Sequence, residues 1–460
     1  AGDERSEDRH VRGSLQRVTR VPQRYVALAA VMALAAFLRL YRLDEVGFGN
    51  LYYAATVKSM LASPSNFLYA SFDPAGFVTV DKPPVGFWTQ VLFAAVLGFS
   101  GLALVLPQAL AGIAAVPAIY ALVARTFGAP AGLVAALVLA IMPVSVAVDR
   151  NNTIDAQLAL LLLGATYATL RATESASLRW LLAVAALVGL GFNVKMAQAY
   201  LPLPAFALTY LIGAPAGLMR RLLHLVAFAG TCLALSAAWI ALVDLTPPDR
   251  RPFVGSSTNN TALELALGHN GLRRLGPLGP ALLPGSAPPS PAGPAGFPPG
   301  PAGPPPAGPF GSPPSQAPGP GALRPPLGPP GPGLQSEVGL PGAMRLLNPQ
   351  LAGQVSWFLL FALVGAALAW WREHRVWPLT RRRLNVLLWL AWLIPAAVFL
   401  SYGGIVHRYY LVMLAPPIAA LAGVAAAALW DLSRSHVLGR LATAVATASS
   451  AAIELNAIAG

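Results

Sequence analysis

What most narrows the folds open to this chain is a repeated feature. Apolar runs of close to twenty residues recur along it, separated by short turns in which arginine is the usual charge. A helix needs about twenty apolar residues to cross the hydrocarbon of a bilayer, and there it must satisfy its own backbone polar groups. The fold class that follows is an all-α polytopic membrane protein. Composition agrees: 56% of the 460 residues are hydrophobic and 11% are charged, against about 25% charged in ordinary soluble domains. The net charge of +13 does not point to nucleic acid, because most of the arginines flank apolar runs, where they act as orientation signals. Cys232 is the only cysteine and lies inside an apolar run, so there is no disulfide framework.

Apolar length and spacing place helices near 25–41, 102–124, 129–148, 154–171, 179–192, 199–213, 222–243, 355–371, 384–402 and 409–430. A last apolar stretch, 441–460, is too weakly bounded to assign. Residues 1–24 are charged, mixed in sign and rich in arginine, and read as a disordered cytoplasmic tail. No small-residue cleavage site precedes Arg42, so the first run is expected to stay as a helix. Alternating sides from a cytoplasmic N-terminus puts Arg125, Arg171 with Arg179, Arg220 with Arg221, the cluster at 372–383, and Arg434 with Arg440 in the inner turns. That is the arginine bias expected of cytoplasmic turns. The outer face then receives 42–88, 149–155, 193–198, 244–353 and 401–408. The expected organisation is the tail 1–24, a transmembrane catalytic core 25–245 with an external loop 42–88 carrying short interfacial helices, an external loop 246–353, and transmembrane helices within 354–460.

Polar chemistry concentrates on that outer face. The loop 42–88 holds Asp44, Glu45, Asp73 and Asp81, four of the eighteen acidic residues, and Lys58 and Lys82, two of the three lysines. It also carries Asn50, Tyr52 and Tyr53, and Pro83-Pro84 stiffens the turn after Asp81-Lys82. The turn 149–155 contains Asp149, Arg150 and Asp155. It reads either as a helix cap or as charges facing a site. Lys195, the third lysine, falls at membrane level, where an ionisable group usually serves a ligand or a pathway unless it snorkels. His407 and Arg408 stand beside Tyr409 and Tyr410. Six histidines are scattered without ligand spacing; no cofactor is required, and a divalent metal is compatible with the reading but not indicated. Residues 276–343 are dense in proline and glycine without a strict every-third glycine, which argues against a collagen helix and predicts a disordered or polyproline-like loop. The pieces flanking it, 249–274 and 344–350, look ordered and are expected to fold against the outer face.

A lipid-linked donor suits a long polar loop over a membrane-embedded floor. Its isoprenoid tail would lie between helices, Lys82 would meet its phosphate, and a carboxylate would take a proton from the acceptor hydroxyl. Several stretches carry a resemblance to a known family: RLDEVGFGNLYYAATVKSML, FDPAGFVTVDKPPVGFW, LPQALAGIAAVPAIYALV, PVSVAVDRNNTID and GLGFNVKMAQAYLPLPAF. They resemble the family 39 glycosyltransferases, the group of polyprenyl-phosphate-mannose protein O-mannosyltransferases and lipid A aminoarabinose transferases. The resemblance covers roughly 37–245, and GGIVHRYYLVMLAPPIAAL more loosely. It implies a GT-C helical bundle, a polyprenyl-phosphate sugar donor, and transfer to a protein, lipid or glycan acceptor on the external face of a bacterial plasma membrane. It also implies a donor-phosphate role for Lys82; the outer-face cations Arg150, Lys195, His407 and Arg408 are further candidates on their own chemistry.

For the catalytic acid two registers compete. Aligned on YYAATVKSML, the aminoarabinose-type Asp-Glu pair falls on Gly49-Asn50, which cannot act as a base. Aligned on DEVGFG, the protein-mannosyltransferase pair falls on Asp44-Glu45, which can. Asp44 is preferred, with Glu45 beside it and Asp81 in reserve; Asn50, Tyr52, Tyr53 and Asp155 complete the candidate site. A secondary transporter is the alternative from another class, although matching broken helices in two halves are not seen. A non-catalytic lipid-binding protein is a further alternative, should Asn50 mark a lost acid.

Overall fold

The apolar runs become helices because lipid offers their backbones no other partner. The computed structural model describes residues 22–275, 337–373 and 377–435. In chain order its longer helices are α1 (Gln23–Leu40), α2 (Leu51–Met60), α3 (Pro64–Tyr69), α4 (Val85–Leu97), α5 (Gly101–Phe127), α6 (Ala129–Ile141), α7 (Pro143–Asp149), α8 (Asp155–Ser175), α9 (Leu178–Lys195), α10 (Leu203–Gly213), α11 (Leu218–Leu245), α12 (Leu359–Arg372), α13 (Arg381–Tyr402) and α14 (Ala415–Ser435). Among the described residues six helices are long and apolar enough to cross a membrane, and α6 with α7 makes a seventh if counted as one bent span. The only β pairing among them is two isolated bridges, so the protein is all-α and polytopic.

The structure departs from the sequence reading in three places. First, α4 occupies a stretch where no helix was expected; at 13 residues it is too short to cross alone, which hid it from a length criterion. Secondly, 129–148 is not one helix but is bent by 58° between α6 and α7. Pro143 has no N–H to give Leu139 and its ring crowds that carbonyl. Arg39 of α1, 0% exposed, repairs the break by donating to the carbonyls of Leu139 at 3.3 Å and Ala140 at 2.9 Å. Its Nε also donates to Asp149 Oδ2 at 2.8 Å. Only glycine fits at 112, because a Cβ there would lie 2.1 Å from Asp149 Oδ2. Thirdly, the end of the expected Pro/Gly loop is packed. Val338 is buried, the Gly342 N–H donates to the Ser401 carbonyl, and Glu337 accepts from the Arg408 N–H. The rest of that loop (276–336), the tail 1–21 and the stretch 441–460 lie outside the described residues.

The turns sort into two sets. Segments 38–50, 71–82, 149–155, 193–198, 246–275, 337–348 and 401–410 bond to one another, as in Asn50 with Asn152, Val78 with Phe253, and Arg345 with the Gly403 carbonyl. The arginine-rich turns form the other set, with Glu174 bridging Arg125 at 2.6 Å and Arg381 at 2.7 Å.

Candidate functional site

The first loop is shaped so as to deliver Lys82. Asp73 accepts from the N–H groups of Phe77 and Val78, closing a turn. The returning strand-like segment pairs Thr79 with Ser71, while Val78 bridges to Phe253 beyond α11. Pro83-Pro84 then opens α4, leaving Asp81-Lys82 at its entrance. Lys82 is 2% exposed, and its Nζ donates to Asp81 Oδ2 at 2.5 Å and to Asn270 Oδ1 at 2.9 Å. Asn270 returns a bond from Nδ2 to the Asp81 carbonyl at 2.8 Å. It follows a π-helical turn, Leu265–His269, a local underwinding of a kind frequently found at functional sites.

Two more cations join this one. Arg274, buried, donates to Asn270 Oδ1 at 3.1 Å and to the Tyr410 hydroxyl. Lys195 pairs with Asp155 Oδ2 at 2.5 Å and lies 4.6 and 4.5 Å from the ring centroids of Tyr409 and Tyr410. Gln198 donates to the other Asp155 oxygen at 3.2 Å. Linked through Asn270 and Tyr410, Lys82, Arg274 and Lys195 form one cationic group on the wall of a cavity of about 560 Å³. The cavity's remaining wall is mostly apolar, with Phe192, Leu233, Ile240 and Phe399 among its side chains. A buried cationic head on an apolar groove is the arrangement an amphiphile with an anionic end requires.

Asp81 is the carboxylate that meets Lys82 in this head, as Asp155 meets Lys195. Burial alone would push its carboxyl up, but the Lys82 ammonium and hydrogen bonds from His269 and Lys82 hold it well below the usual carboxylate range. Its Oδ2 is shared between Lys82 and His269 Nε2, the latter at 3.4 Å, while Oδ1 is buried without a hydrogen-bond partner among the described residues. The Tyr52 hydroxyl accepts from the Asp81 N–H at 3.3 Å, and burial followed by the Asp81 charge pushes that phenol up.

The other sequence candidates are placed as follows. Asp44 is exposed on a 3-10 turn, Leu43–Val46, and its carboxylate has no partner among the described residues. Glu45 pairs with Arg42 at 2.6 Å. Asn50 caps α2, accepting from the Tyr53 N–H, and exchanges two bonds with Asn152. Tyr53 is buried with its ring edge-on to Phe87. Arg150 donates to the carbonyls of Leu38 at 3.1 Å and Tyr41 at 2.8 Å, so its guanidinium closes the end of α1 and does not line the cavity. His407 contacts Glu337 and stacks on Tyr409, and Arg408 donates to Glu337; neither lines the cavity. Sequence reasoning missed Asn270, Arg274 and His269. The signal was slight: a few polar residues at the end of an ordered-looking piece, just before the proline-rich tract. Among the described residues no three of His, Cys, Asp and Glu group so as to hold a metal ion.

Comparison with known proteins finds related sequences and a shared fold. Residues 81–241 match the family described as dolichyl-phosphate-mannose-protein mannosyltransferase. Two candidate mannosyltransferases of Bacillus subtilis (strain 168), YycA and YkcB, are similar over most of the chain. YycA is 40% identical over 433 residues, covering 86% of this chain and 63% of its own length. YkcB is 40% identical over 462 residues, covering 89% of this chain and 63% of its own length. The chain thus spans somewhat under two thirds of these relatives. The crystal structure of ArnT from Cupriavidus metallidurans bound to undecaprenyl phosphate superposes with a TM-score of 0.57 at 20% identity, covering 92% of this chain and 63% of that one. At that identity the likeness is one of fold.

Proposed function

We propose that the chain is a GT-C glycosyltransferase that moves a sugar from a polyprenyl-phosphate donor to an acceptor, a reading supported by its similarity to mannosyltransferases and by its likeness of fold to ArnT. The observation that carries this reading is the apolar cavity headed by Lys82, Arg274 and Lys195. The isoprenoid tail occupies the groove, and the phosphate displaces part of the bonding among Lys82, Asn270 and Arg274. The Cupriavidus protein's undecaprenyl phosphate is the lipid-phosphate half of a donor of this chemistry.

The reaction breaks the bond between the anomeric carbon and the phosphate oxygen and forms one to an acceptor hydroxyl oxygen. Charge growing on the departing phosphate is met by buried cations already in place, which is where such catalysis gains most. The acceptor's proton goes to an acid of the first loop. Asp44 is preferred because its carboxylate is uncommitted, whereas Asp81 already holds Lys82 and His269. In this reading Asp81 and Asn270 orient the lysine, Asp155 orients Lys195, and no cofactor enters. The acceptor is a protein, lipid or glycan, and the site faces outward from a bacterial plasma membrane, the side that the arginine distribution assigns to these loops.

The test uses purified protein in nanodiscs with a polyprenyl-phosphate-mannose donor. Lys82→Ala should weaken polyprenyl-phosphate binding at least tenfold and lower sugar release with it. Lys82→Arg should recover only part, since a planar guanidinium does not reproduce a compact ammonium. Undiminished binding in Lys82→Ala would sink the assignment of the cavity.

A further inference from the structure

We propose that a second cleft, on the face opposite the cationic group, is a binding site for an anionic glycerophospholipid. It lies between the adjoining ends of α5 and α6, the end of α12, the start of α13 and the last turns of α14, and encloses about 500 Å³.

Packing explains why the cleft exists. At one level the helices touch through small residues. A Cβ on Gly423 of α14 would lie 2.4 Å from the Ala131 carbonyl of α6, and one on Gly365 of α12 would lie 1.9 Å from Ala425 Cβ. One to two turns further along α14 the neighbours are Phe127, Arg372 and Trp430, too large for that approach, and the helices part. The floor of the opening is apolar, formed by Pro130, Val134, Ala369 and Ala427.

The rim supplies the polar half. Arg372 and Arg382 line the cleft with Glu373 and Asp431. The Arg382 side chain is 54% exposed and reaches Glu373 only at 3.5 Å, and Arg372 donates to the Ala428 carbonyl at 3.3 Å. Each guanidinium has five N–H donors in a fork that suits a phosphate diester, so these bonds leave donors to spare. Around the cleft Arg372, Arg382, Arg383 and Arg434 stand against Glu373 and Asp431, with Arg381 taken up by Glu174, and this smaller excess still favours an anionic ligand over a zwitterionic one. Trp371 and Trp377, each 73% exposed, and Trp430, 64% exposed, lie on the same segments. Exposed tryptophan is characteristic of the headgroup level of a membrane. An apolar floor, a basic rim and an aromatic collar therefore stand in the order of acyl chain, phosphate and interface. Charge complementarity selects the headgroup, and the cleft shares no lining residue with the cavity beneath Lys82.

The experiment is lipid retention by native mass spectrometry of the full chain, purified in mixed micelles holding equal dioleoyl phosphatidylglycerol and dioleoyl phosphatidylcholine. The expected result is at least fivefold preferential retention of phosphatidylglycerol, lost in Arg372→Gln/Arg382→Gln. Ala427→Phe leaves every rim charge in place but fills the floor, and should lose retention too; it serves should the arginine double variant fail to fold. Free glycerol phosphate should not compete, since the floor needs an acyl chain. Equal retention of the two lipids would overturn the proposal. So would undiminished retention in either variant, or effective competition by glycerol phosphate.

Discussion

Replacing Arg39 by methionine tests the joint that holds α1 to the α6–α7 break. Arg39 is 0% exposed, and its guanidinium meets the Asp149 carboxylate at 2.8 Å and two carbonyls at 2.9 and 3.3 Å. Methionine keeps most of the aliphatic stem but strands a buried carboxylate, at a cost of about 3–5 kcal/mol. Two orphaned carbonyls add roughly 1–3 kcal/mol each, unless water reaches them. The sum is an upper bound, because Asp149 can take up a proton and relieve its own part. The double variant Arg39→Met/Asp149→Leu removes both charges, and apolar replacement of a buried pair is often neutral. It should therefore recover about half of the loss and no more, since the Leu139 and Ala140 carbonyls still have no donor. Thermal unfolding in detergent, followed by loss of the monodisperse peak, reads both, with a fall of at least about 5 °C expected for the single variant. A fall under 1 °C for Arg39→Met would refute the reasoning. So would a double variant worse than Arg39→Met, because the coupling would then have the wrong sign.

Other expectations concern chemistry, pH and orientation. Asp44→Asn should spare donor binding and lower single-turnover transfer on the order of a hundredfold, whereas Asp81→Asn should imitate Lys82→Ala; full turnover in Asp44→Asn with none in Asp81→Asn would move the base to Asp81. Burial holds His407 below the ordinary imidazole value against the pull of Glu337. The unfolded chain then protonates first, so stability should be greatest above about pH 6.5 and fall as pH drops through the lowered folded value; His407→Gln should flatten that slope in a pH series of unfolding midpoints. Ser65→Cys and Leu340→Cys should label from one side of sealed vesicles with an impermeant thiol reagent and Trp377→Cys from the other, and a shared side for all three would contradict the span count.

The membrane class was legible because it rests on run length, which also placed nine of the helices singly and the α6–α7 pair as one. α4 escaped because burial against the body, not length, makes a 13-residue apolar helix viable. Pro143 was visible, but its effect was not. A proline inside a membrane helix is tolerated when a donor arrives from elsewhere, and Arg39, 100 residues away from Leu139, supplies it. Asp81-Lys82 could be singled out because adjacent residues and a following Pro-Pro are local. Asn270 and Arg274 could not, since nothing near them says that they return to Lys82 across 188 residues. Arg150 shows the same limit. A charged turn announces that its groups have partners, and here the partners are the carbonyls closing α1.

The cationic group draws Lys82 from the first loop, Lys195 from the end of α9, Arg274 from the segment before the proline-rich tract, and Tyr410 from the turn ahead of α14. During synthesis these arrive in that order, and the last bond, Arg274 to Tyr410, spans 136 residues. The apolar groove can begin to form once α9, α10 and α11 have been inserted, but its head stays incomplete until the ribosome has passed Tyr410. A chain interrupted within α13 would hold Lys82 against Asp81 and leave Arg274 and Lys195 without the ring that joins them. Completion of this site thus requires that the helix ahead of Tyr410 be seated against the groove.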